Sequence, residues 1–111
     1  MLDIEHEKKD SVTVVYFMGK MDTRTSPEAE KYVNGLLDEG ETNILMNFED
    51  LDFISSTGLR VVLSTGKKLM AGNGKLTMCS PNITVNDVLK MSGFNRMFVV
   101  FDSEEEALAS Y

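Results

Sequence analysis

Three consecutive hydroxyl side chains, Ser55, Ser56 and Thr57, stand directly before Gly58 in the stretch "FISSTGLRVVL". Hydroxyls in that position offer two kinds of chemistry. One oxygen can accept a free N–H at the start of a helix, and an exposed hydroxyl can accept a phosphoryl group that adds charge at a defined place. Nucleophilic catalysis would need a base to activate the hydroxyl. The sole histidine, His6, lies in a strand-like segment outside any such motif and reads as a surface residue. A helix needs a single cap, and no capping box reinforces it, because the residues three beyond Ser55, Ser56 and Thr57 are Gly58, Leu59 and Arg60. The segment has hydroxyls to spare.

Other chemistry-bearing residues reduce to structural roles. Cys79 has no partner cysteine and sits in an apolar run, which makes it a small buried hydrophobe rather than a reactive thiol. "GNGK" at 72–75 lacks the first glycine of a phosphate-binding loop, where Leu69 stands, and its Ser or Thr, where Leu76 stands, so it is a turn. No spacing suits zinc or calcium, and no cofactor is expected. Glu104, Glu105 and Glu106 follow Ser103 at a predicted helix start, where carboxylates oppose the positive end of the helix dipole. The eight methionines are scattered, which predicts core filling.

The elements that must hold the hydroxyls follow from periodicity. A short strand from Leu2 to about Glu7 and "VTVVYFM" (12–18) predict a hairpin. Ala29, Tyr32, Val33, Leu36 and Leu37 form the stripe of an amphipathic helix, with Ser26 as N-cap, Pro27 in its first turn and Gly40 at its end. "NILMNF" (43–48) reads as a buried strand and "EDLDFI" as a turn. Leu59, Val62, Leu63, Gly66, Leu69 and Met70 give a second helix that begins at the three hydroxyls. Beyond it come a strand (75–80), a helix (85–91), a strand (97–101) and a last helix from 103. The order ββαβαβαβα predicts an α/β fold with a small mixed sheet of about five strands.

At 111 residues the chain is one domain, 1–111, and its 42% hydrophobic and 26% charged residues exclude global disorder. A net charge of −7, with no basic cluster larger than Lys67-Lys68, argues against nucleic acid and anionic membranes as partners. One cysteine, no signal-peptide pattern and no long apolar run predict a cytoplasmic location. The hydroxyls would emerge at the carboxyl end of a parallel strand and the amino end of a helix, where α/β sheets place their sites. Asp22, in the loop after a neighbouring strand, would converge on the same edge, and Gly58 would let another backbone approach closely. A serine so placed, with no base beside it, looks like a phosphorylation site.

These residues resemble the bacterial anti-sigma factor antagonists, free-standing domains of the STAS type. "GKMD" (19–22) is similar to the family's Gly-x-Leu/Met-Asp, "NFEDLDFISSTGL" (47–59) to its central strand, turn and phosphorylatable segment, and "MSGF" (91–94) with "EEEAL" (104–108) to its closing signature. The resemblance implies helices packed mainly on one side of the sheet and partner switching, and the lack of a base, a metal set or a cofactor loop argues against an enzyme. Unmodified antagonist binds an anti-sigma factor that is also a serine kinase using ATP and Mg²⁺; phosphorylation ends that binding, and a metal-dependent Ser/Thr phosphatase restores it. Aligned on Gly58, the family's phosphorylated serine is Ser56. Ser55 stands where the family motif Asp-Ser-Ser/Thr-Gly carries aspartate, so Ser55 and then Thr57 are the alternatives. Partner contacts are implied at Asp22, Ser55, Thr57, Gly58 and Arg60. A second reading is a STAS-like subunit of a transport or signalling assembly that is never phosphorylated.

Overall fold

In the computed structural model, which describes residues 1–111, β1 (Leu2–Lys9) and β2 (Val12–Met21) form the antiparallel hairpin, with Leu2 opposite Gly19 and Lys9 opposite Val12. Asp10 occupies the left-handed region at the turn (φ 57°), a conformation that short polar side chains tolerate. Residues of β2 alternate between the two faces of the sheet. Val15 and Phe17 join one core, while Val12 and Val14 join another.

The other edge of β2 is shared by two strands in succession. β3 (Asn43–Asn47) runs parallel to it over Thr13–Tyr16, and after a short detour β4 (Leu51–Ile54) pairs with Gly19–Met21. The predicted turn "EDLDFI" is therefore largely a strand. Its burial pattern, Leu51 and Ile54 inside with Asp52 and Phe53 outside, has the i, i+3 spacing of a helix rather than the alternation of a strand, and a register shift at Gly19/Lys20 accompanies the pairing. Local periodicity carries no strand signal for such an element. β5 (Lys75–Cys79) and β6 (Val99–Phe101) complete a six-stranded mixed sheet in the order β1-β2-β3-β5-β6, with β4 off this path.

Helices α1 (Ser26–Asp38), α2 (Ser56–Ala71), α3 (Ile83–Met91) and α4 (Phe94–Met97) cover one face. Ala29, Val33 and Leu36, Val61, Val62 and Leu69, Val85 and Leu89 pack there on Val15, Phe17, Ile44, Met46 and Met78. The last strand starts two residues later than expected, because Phe94–Met97 form a short helix that turns Phe94 and Phe98 inward, ring centroids 6.1 Å apart. Phe98 lies on Gly66 of α2, where an added Cβ would fall 2.2 Å from the ring.

A single helix, α5 (Glu104–Ala109), covers the opposite face, seating Ala107 on Val12, Val14, Leu45 and Cys79. Ser103 caps it by accepting the Glu106 N–H at 3.2 Å. Glu104 does more than favour the dipole: it pairs with Lys9 at 2.6 Å and accepts from Asn47 at 3.0 Å, tying α5 to β1 and β3. Core filling holds for Met21, Met46 and Met78, whereas Met1, Met70, Met91 and Met97 are exposed.

Candidate functional site

β2 and β4 end side by side, with Met21 opposite Ile54, so the chain leaves the sheet at two adjacent points, into Asp22 and into Ser55. The two exits are joined where the Ser55 N–H donates to the Met21 carbonyl at 2.8 Å. The three hydroxyls and Asp22 are thereby held at one edge of the sheet, as their sequence positions predict.

Within that edge the hydroxyls take different roles. Ser55, extended at φ −92° and ψ 175°, is the N-cap of α2: its Oγ accepts the Gly58 N–H at 3.2 Å and its carbonyl accepts the Leu59 N–H at 2.9 Å. Thr57 Oγ1 lies 2.7 Å from Ser55 Oγ and exchanges longer hydrogen bonds, 3.4 Å each, with Ser26 and Thr23. Ser56, the first residue of α2, is exposed, and its hydroxyl enters none of these bonds.

Gly58 departs from its expected role. It is buried, and a Cβ there would meet Ile54 Cγ1 at 2.8 Å, the Met21 carbonyl at 3.0 Å and Met21 Cγ at 3.1 Å. The room it leaves is filled by its own chain, because α2 must start directly over the ends of β2 and β4. Arg60, four residues after Ser56, is exposed on α2, a helix that contains Lys67 and Lys68 but no acidic residue.

Asp22 is engaged by its own loop. Its Oδ1 accepts the N–H groups of Arg24 and Thr25, both at 3.0 Å, and the Thr25 N–H above all holds its carboxyl below the ordinary range. Its carbonyl accepts the Ser26 N–H at 2.8 Å and the Ser26 hydroxyl. Thr25, not Ser26, occupies the N-cap position of α1, without a side-chain capping bond. Sequence reasoning passed over Thr23 and Ser26 as members of the hydroxyl network. The signal was present in "DTRTS", a second hydroxyl-rich exit beside the first, but only the β2–β4 pairing brings the two together.

The remaining candidates stay apart from this edge. His6 is exposed on β1, its Nδ1 hydrogen-bonded to the Tyr32 hydroxyl, and burial pushes the Cys79 thiol up to about 11. "GNGK" is a turn in which the Gly74 N–H returns to the Leu69 carbonyl at 2.6 Å. No group of three His, Cys, Asp or Glu side chains is placed to hold a metal ion.

The STAS domain model matches residues 3–107, nearly the whole chain. The chain belongs to the STAS family. Its relatives include a Bordetella bronchiseptica protein named as the anti-sigma factor antagonist BtrV, 32% identical over 95% of this chain and 90% of that one. A Thermotoga maritima structure described as an anti-sigma factor antagonist superposes with a TM-score of 0.93 at 22% identity, covering 96% of this chain and 92% of that one, which establishes the fold. The Bacillus anti-sigma factor antagonist SpoIIAA has been solved in two forms. The unphosphorylated form matches at TM-score 0.82 and 27% identity (96% and 93% covered), the phosphorylated form at 0.74 and 25% (99% and 98% covered). This STAS domain thus groups with anti-sigma factor antagonists, which are non-enzymatic regulatory proteins. None of its helices is long and apolar enough to cross a membrane.

Proposed function

We propose that this STAS domain is a phosphorylation-controlled antagonist that binds an anti-sigma factor with serine kinase activity, and that Ser56 is the switch. The observation that carries this reading is the division of labour among the hydroxyls: Ser55 caps α2 and Thr57 is bonded to Ser55, whereas Ser56 is exposed and unengaged. A kinase can take up the Ser56 hydroxyl without dismantling the helix start. In the transfer, the γ-phosphoryl group of ATP forms a bond to Ser56 Oγ, the bond to ADP breaks, and the hydroxyl proton passes to a base of the kinase.

The existence of a relative in phosphorylated and unphosphorylated forms supports the same reading. The added phosphate carries about −1.5 to −2 charges. Within a water-excluding interface beside the Asp22 carboxylate, that dianion loses hydration and meets repulsion, so binding ends while the domain stays folded. Partner contacts fall on Asp22, Ser55, Ser56, Thr57 and Arg60, a metal-dependent Ser/Thr phosphatase resets the switch, and the cycle runs in the cytoplasm.

Incubation with ATP and the cell's own kinases, followed by phosphopeptide mass spectrometry, tests the assignment. Phosphate is expected on Ser56, and Ser56→Ala abolishes its uptake. Ser56→Asp is expected to bind the kinase at least about tenfold more weakly than Ser56→Ala. Equal binding by the two variants, with phosphate uptake retained in Ser56→Ala, overturns the reading.

A further inference from the structure

We propose that Arg60 receives the phosphate of modified Ser56 within the same molecule, so that modification withdraws this cation from the docking surface. The proposal rests on the reading of Ser56 as the modified residue. Ser56 is the first residue of α2 and Arg60 follows four positions later, the spacing at which helical side chains meet on one face. Both side chains are exposed. The three ion pairs of the molecule join Lys8 to Glu41 and Lys9 to Glu7 and Glu104, leaving the Arg60 guanidinium without a carboxylate partner.

The surroundings favour the pairing. Because α2 has no acidic residue, no carboxylate on its own helix competes for Arg60, and Lys67 stands almost two turns further from Ser56. From α1, Glu30 borders the same shallow hollow as Arg60, Thr57 and Thr23, but it makes no ion pair with Arg60. A phosphate offers three strong acceptor oxygens, and the planar guanidinium can meet two of them with parallel N–H bonds. Nothing need move but two exposed side chains.

The two states then differ in what Arg60 presents. With Ser56 unmodified, the guanidinium is free to meet an acidic group of the partner. With Ser56 phosphorylated, the cation is neutralised from within, and the partner's carboxylate faces a net negative helix start. An acidic patch opposite Arg60 is therefore the partner chemistry that this surface fits.

The test installs phosphoserine at position 56 of the full chain during translation, without any kinase, and follows the second phosphate ionisation by ³¹P NMR. The midpoint is expected about 0.4 unit lower in the otherwise wild-type chain than in Arg60→Ala or Arg60→Gln, while Lys67→Ala leaves it unchanged. Midpoints agreeing to within about 0.1 unit in the Arg60 variants overturn the proposal, as does an equally large shift in Lys67→Ala. Unchanged amide spectra across the variants show that the fold is intact. Because the phosphate is installed synthetically, failure of cellular kinases to modify Ser56 would defeat the functional reading and leave this measurement standing.

Discussion

The hydroxyl of Ser55 accepts the backbone N–H of Gly58 at 3.2 Å, and that bond identifies which of three neighbouring hydroxyls starts the helix. Removing an N-cap side chain costs about 1 kcal/mol. Ser55→Ala is therefore expected to destabilise the domain by about that amount, Ser55→Asp to preserve most of it, and Ser56→Ala to stay within about 0.5 kcal/mol of wild type. Urea unfolding of the three variants checks the order, and a Ser56→Ala loss as large as that of Ser55→Ala would reverse the assignment of roles.

Two glycines in helices should respond to alanine with opposite signs. Gly35 in α1 has nothing within 4 Å of an added Cβ, so Gly35→Ala is expected to stabilise by up to about 1 kcal/mol through helix propensity. Gly58→Ala drives its Cβ to 2.8 Å from Ile54 Cγ1, in a side chain only 1% exposed, and to 3.0 Å from the Met21 carbonyl. Overpacking of this kind costs about 1–3 kcal/mol and outweighs the propensity gain. Thermal unfolding of both variants reads the two signs.

Gly66 and Phe98 form a lock between α2 and the segment that enters β6. Gly66→Ala places a methyl 2.2 Å from the Phe98 ring and is expected to cost about 1–3 kcal/mol. Phe98→Ala leaves a cavity and costs about 3–5 kcal/mol. Made together, the changes should cost less than their sum by at least about 0.5 kcal/mol, because the alanine methyl enters the space the ring vacates. Strict additivity in a double-mutant cycle would contradict the contact.

Acid should loosen the attachment of α5 and of the loop before β3. Burial raises the tendency of Glu104 to hold a proton, yet hydrogen bonds from Lys9, Tyr16 and Asn47 together prevail and hold its carboxyl below the ordinary value of 4.5. Glu41 is lowered too, first by Lys8 and then by Thr13. A carboxylate depressed in the folded state stabilises at pH above its unfolded value, and that contribution fades as pH falls through the lower folded value. Urea midpoints should thus hold steady from pH 7 to about 5 and decline below about pH 4.5, with a shallower decline in Glu104→Gln.

The elements legible in the sequence were those with a clear period. α1 and α2 show an apolar stripe at helical spacing, and β2, β3 and β5 are apolar runs bounded by turns. β4 escaped because Leu51 and Ile54 are inside while the two residues between them are outside, which breaks strand alternation, and its strand form rests on pairing with Gly19–Met21. α4 escaped because its role is to seat Phe94 and Phe98, and the Gly66 space that accepts Phe98 lies over thirty residues away in sequence. At the site, the clustering of Asp22 with the hydroxyls followed from strand order. The burial of Gly58, the capture of Asp22 by its own loop and the parts played by Thr23 and Ser26 required the actual meeting of two strand ends.

Capping by Ser55 also bears on how sharply two states of the segment can be told apart. Aspartate, which the family motif carries at this position, would cap the helix equally well but would impose a permanent charge next to Ser56. With serine in that place, Ser55 to Gly58 carries no ionised side chain of its own. On the proposed reading, a phosphate on Ser56 takes this segment from no charge to nearly two negative units, against the charges that Asp22 and Arg60 already hold beside it.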